Sequence, residues 1–139
     1  MRVLILYSKE GRVGALAKGL ANALERDNCS VKLMEADPDG AGPISGAPYE
    51  LVILGSPSLG FLGGKIAADL TATSARLSRL EGRKAAAFVS AKLFGASKSL
   101  KAVMALLEKQ GAMVEDFAAL GSQSDIDSFS KRLVRLIHR

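Results

Sequence analysis

The chain of 139 residues (14.6 kDa) has 48% hydrophobic and 24% charged side chains, the amount and balance of one globular core, which argues against a disordered segment. Nineteen basic against fourteen acidic side chains leave +5 and a pI near 9.6. That favours an anionic partner without choosing among phosphate, nucleic acid and membrane. A single cysteine, Cys29, excludes an internal disulfide and a cysteine-built zinc site and fits a reducing, cytoplasmic setting.

Val3-Leu4-Ile5-Leu6-Tyr7 is a short continuous apolar run, as expected of a strand buried on both faces. It is too short for a secretory signal, so export is not expected. From Val13 the period changes, with Val13, Leu16, Ala17, Leu20 and Leu24 on one face of an amphipathic helix. A weaker strand is expected over Ser30 to Glu35. Ala36 to Pro48 holds three prolines and three glycines and reads as loop with at most one helical turn. Leu51 to Leu54 is a second buried strand, ending at Gly55. The 14 uncharged residues from Leu51 to Gly64 are too few and too broken by Gly, Ser and Pro to span a membrane.

Ile66, Leu70 and Leu77 suggest a further helix, less cleanly patterned than the first. Ala85 to Val89 reads as a strand, and Leu100, Val103, Met104 and Leu107 mark a firm helix with Gly111 placed to cap its end. Met113 to Leu120 is the last strand. Ser124, with Asp127 three residues on, is the expected cap of a final helix whose buried stripe is Ile126, Phe129, Leu133 and Leu136. Five strands alternating with four helices predict a single α/β domain with a parallel sheet and right-handed crossovers.

In such a sheet, ligands bind beyond the carboxyl ends of the strands, near the switch point in strand order. The loops after the first, third and fourth strands therefore carry the chemistry. Ser8-Lys9-Glu10-Gly11-Arg12-Val13 leads from strand to helix, where free N–H groups and the positive helix end favour an anion, most naturally a phosphate. Gly11 permits a tight turn, Ser8 offers a hydroxyl, and Lys9 and Arg12 offer charge. The loop has neither the Gly-Lys-Ser/Thr of a Walker motif nor Gly-x-Gly-x-x-Gly. The second loop, Gly55 to Gly64, is longer and richer in glycine than a connector requires. The third runs from Ser90 to Ser97. Each of these two carries one phenylalanine, Phe61 and Phe94, and the pair could hold a flat ring between them.

These residues carry a family resemblance. Tyr7-Ser8-Lys9-Glu10-Gly11-Arg12-Val13 is similar to the flavodoxin phosphate loop, Ser/Thr-x-Thr/Ser-Gly-Asn-Thr, with Glu10, Arg12 and Val13 standing where the family has hydroxyl, Asn and Thr. Tyr49 to Pro57 resembles the strand and Gly-Ser-Pro segment before the family's second flavin loop. Arg83 to Ser90 with Leu100 to Gly111 resembles its fourth strand and following helix. The resemblance implies a flavodoxin-like three-layer sandwich, a five-stranded parallel sheet in the order 2-1-3-4-5, and FMN bound at its edge. It implies that Ser8, Lys9, Glu10, Gly11, Arg12 and Val13 line the phosphate. Ser56, Pro57, Ser58, Leu59, Gly60 and Phe61 would border the flavin ring on one side, and Ala91, Lys92, Phe94 and Gly95 on the other. Electron transfer, or a place as the flavin component of a small oxidoreductase, is the implied function. A flavin-free module that binds a protein or another anion is the alternative reading.

No catalytic set or metal site is expected from the remaining residues. His138 is the only histidine, near the terminus, and Cys29 lies in a polar turn. Arg76 to Lys109 holds eight basic and two acidic side chains, a balance of +6 against +5 for the whole chain, so the rest is slightly acidic. An acidic redox partner could dock there; no nucleic-acid motif accompanies the charge.

Overall fold

The computed structural model describes residues 1–60, 64–92 and 95–138. The apolar runs form the strands β1 (Arg2–Tyr7), β2 (Ser30–Glu35), β4 (Leu51–Ser56), β6 (Lys84–Ser90) and β7 (Met113–Leu120). All are parallel and lie in the order β2-β1-β4-β6-β7. Two short strands, β3 (Ile44–Ser45) and β5 (Leu77–Ser78), pair with each other in a separate two-stranded sheet. Without them in the count, the main sheet has the expected order 2-1-3-4-5.

Helices cover both faces. α1 (Val13–Arg26) and α4 (Gln123–Ile137) pack on one side, against Val3, Ile5, Leu51, Ile53 and Phe88. α2 (Ala68–Ser74) and α3 (Ala96–Lys109) close the other, over Leu4, Leu6, Val52, Leu54 and Val89. Alternate residues of one strand thus feed two separate cores, which is why Val3 to Tyr7 of β1 and Leu51 to Leu54 of β4 are apolar without a break. Each fully buried Leu, Ile or Phe contributes about 1.5–3 kcal/mol of transfer free energy. β4 is buried along its whole length, and Gly55 near its end lies over the Phe88 ring, leaving no room for a Cβ.

Three elements depart from expectation. α2 ends at Ser74, so Ile66 and Leu77 are not helical; Leu77 reaches the same core from β5. Within the stretch expected to be loop, Ile44 and Ser45 form β3. The cap of α4 is Ser122, whose hydroxyl accepts the Asp125 N–H at 3.2 Å, and Ser124 is an ordinary helical residue. Gly111 does close α3, with φ +85° and its N–H donated to the Glu108 carbonyl at 2.9 Å. Cys29 follows a left-handed Asn28 but is itself buried, and burial pushes its thiol above the ordinary value.

Candidate functional site

The carboxyl ends of β1, β4 and β6 lie side by side, so the three loops predicted to carry chemistry share one edge. The first begins at Ser8, fully buried, whose N–H is donated to the Gly55 carbonyl at 3.0 Å. Gly11 turns the chain with φ +63°, and a Cβ there would come within 3.9 Å of the Pro57 Cβ, so the first and second loops are neighbours. Arg12 occupies the N-cap of α1, yet its side chain makes no capping hydrogen bond and the first turn holds no acid. Val13 is buried in the core, while Lys9, Glu10, Gly11 and Arg12 are exposed. A helix start with exposed cations and no carboxylate of its own is suited to an anion.

A residue that sequence reasoning missed completes the loop. Asp69, in the first turn of α2, accepts the Ser8 hydroxyl at 2.7 Å and the Lys9 N–H at 2.8 Å. The Ser8 oxygen in turn accepts the Glu10 N–H at 3.0 Å. The first three N–H donors of the loop are therefore engaged internally, and the positive end left for a ligand begins at Gly11. The signal for Asp69 was its place at a helix start; its contact sixty residues away had none.

The second loop is anchored by hydroxyls. Ser56, fully buried, accepts the Ala67 N–H at 3.1 Å and donates to the Pro57 carbonyl at 2.9 Å. The Leu59 N–H is donated to the Lys65 carbonyl at 3.0 Å, pairing the two arms of the loop. Pro57 is buried, Ser58 half-buried, and Leu59 and Gly60 exposed. Toward the third loop, the Ser58 N–H is donated to the Ser90 hydroxyl at 3.4 Å and the Lys92 ammonium to the Gly60 carbonyl. Ala91 is exposed, and Gly95, with φ +84°, opens α3. Phe61 and Phe94, the expected ring walls, lie outside the described residues. Thus Ser8 to Val13, Ser56 to Gly60, and Ala91, Lys92 and Gly95 converge on one edge, whereas Cys29 belongs to the core and His138 ends α4. Among the described residues no cluster of His, Cys, Asp and Glu could hold a metal ion, and no helix is long and apolar enough to cross a membrane.

This is the flavodoxin-like fold: a five-stranded parallel sheet between two helical layers, with three loops converging at one edge. Solved structures share it. Flavodoxin 1 from Bacillus cereus matches with a TM-score of 0.75 over 97% of this chain and 98% of its own, at 17% identity. The Streptococcus pneumonia TIGR4 flavodoxin matches at 0.73 over 98% and 99%, with 15% identity. Rubredoxin oxygen:oxidoreductase from Desulfovibrio gigas matches at 0.70 over 99% of this chain and 36% of its own, with 18% identity. No protein-family model matches the chain, and no curated protein does.

Proposed function

We propose that the protein binds FMN at this edge and acts in electron transfer, alone or as the flavin component of a reductase. The observation that supports this best is the α1 terminus: an uncapped, acid-free helix start beside Gly11, in register with two further loops at the same edge. Its donors fit a phosphate. FMN, when bound, supplies the electron-carrying ring. The chain's own part is to hold the phosphate on residues 11–13 with the Arg12 guanidinium, and to border the ring with the second and third loops. The cations Lys65, Lys92, Lys98 and Lys101 around those loops suit an acidic redox partner.

The flavin-free module has one observation in its favour. Asp69 already places a carboxylate on the loop and takes two of its donors, as a bound anion would. Titration separates the readings. FMN fluorescence should be quenched on binding, and riboflavin, which lacks the phosphate, should bind at least about tenfold more weakly, the loss expected for charge-assisted hydrogen bonds. Equal affinities would remove the phosphate role of the first loop; no binding of either ligand would select the flavin-free module.

A further inference from the structure

Ser99 lies in α3, outside the three loops, and it is fully buried. Its hydroxyl accepts the Gly64 N–H at 3.2 Å, donates to the Lys65 carbonyl at 3.0 Å and pairs with the Ser58 hydroxyl at 2.9 Å. A serine hydroxyl has one hydrogen and two lone pairs. With Lys65 receiving the hydrogen, Gly64 and Ser58 fill the lone pairs and the group is saturated. The Lys65 carbonyl also receives the Leu59 N–H, so one buried oxygen ties both arms of the second loop to α3.

From this we infer that Ser99 is the positioning residue of the two described arms of the second loop, residues 58–60 and 64–65, setting where their backbone stands against a flat ligand at the sheet edge. The inference deepens the proposed flavin reading and rests on it for the identity of the ligand. Neighbouring side chains also hold the loop: Ser90 takes the Ser58 N–H, Lys92 reaches Gly60, and Ser56 reaches Pro57 and Ala67. Ser99 alone reaches residues 58, 64 and 65 together, among the described residues. A loop held in its bound shape binds more tightly because less ordering remains to be done.

The test compares wild type with Ser99→Ala, Ser99→Thr and Ser58→Ala. In Ser99→Ala the affinities for FMN and riboflavin should fall together, by roughly tenfold, because a hydrogen-bonded buried group is lost at the ring side and not at the phosphate. The visible absorption of the bound flavin should shift, and Ser99→Thr, which keeps the hydroxyl, should restore both. A fall in FMN affinity alone, or unchanged affinities and spectrum, overturns the inference. Amide exchange gives a reading that needs no flavin: the Leu59 and Gly64 N–H groups should exchange about tenfold faster in Ser99→Ala while Ile53 in β4 stays protected. Unchanged exchange at Leu59 and Gly64 overturns it as well. Wild type that binds no flavin, with faster loop exchange in the variant, refutes the flavin reading and leaves Ser99 as the anchor of the loop. Should Ser99→Ala not fold, Ser58→Ala, which removes one of the three bonds, is read by amide exchange alone, and unchanged exchange at Leu59 and Gly64 counts against the inference.

Discussion

Arg12 stands at the N-cap of α1 with its side chain in solvent and no hydrogen bond to the helix end. A cation there is mildly unfavourable to the helix unless an anion shares the site. If it serves the phosphate, Arg12→Ala should lower FMN affinity by roughly tenfold to a hundredfold and leave riboflavin affinity alone. The same variant, free of ligand, should melt no lower than wild type. Unchanged FMN affinity would take Arg12 out of the site. Side chains such as this one can be placed from the sequence, because their roles follow from position at a strand–helix junction. Asp69 and Ser99 cannot. Asp69 reads as an acid at a helix start, and Ser99 as a small polar residue among Lys98, Leu100 and Lys101, although its spacing to Val103 and Leu107 puts it on the buried stripe. Each meets its loop only after the sheet has brought distant segments together.

Among the elements, β4 is the most constrained. Gly55 faces the Phe88 ring of the adjoining β6, and both are buried in the core. Gly55→Ala should cost about 1–3 kcal/mol in chemical denaturation, the usual penalty of overpacking. No loss would mean that the ring has room to move. β1, β4 and β6 are legible in the sequence because Val3 to Tyr7, Leu51 to Leu54 and Ala85 to Val89 are apolar without a break and too short for a helix. β3 and β5 are not, since two paired residues leave no period to detect. The cap of α4 shows a different limit. Ser122 and Ser124 are each followed three residues later by an aspartate, Asp125 and Asp127, so the local pattern fits either. The structure chooses Ser122, and the Gly121 N–H donated to Asp125 at 2.8 Å accompanies that choice. Asp127 turns instead to Gln123 and Arg26.

Across the whole molecule, charge is sorted by region. Residues 56–68 and 90–107, which contain the second and third loops, carry Lys65, Lys92, Lys98 and Lys101 and no acid at all. The described ion pairs, Arg26 with Asp127 and Arg132 with Asp116, involve none of these lysines. Glu10 in the first loop and Asp69 against it offset only part of this charge. An excess of one sign steers oppositely charged reactants and fades as salt shortens the Debye length. Oxidation of the reduced FMN-loaded protein by ferricyanide should therefore slow roughly several-fold as ionic strength is raised from low to physiological and beyond. With the cation hexaammineruthenium(III) the rate should rise instead. The same trend for both oxidants would mean that the lysines do not shape the approach to the edge.

The strand order also bears on how the molecule comes to exist. Val3 pairs with Leu51, Leu51 with Lys84 and Lys84 with Met113, and no two neighbouring strands of the main sheet are joined by a hairpin. Every pairing must await the closing of a long crossover, which makes for slow, cooperative folding. The three loops meet only when β1, β4 and β6 are all in register, so no partly folded chain has the complete edge. A ligand of that edge therefore binds the finished fold alone, and in excess it would hold the chain in that fold by mass action.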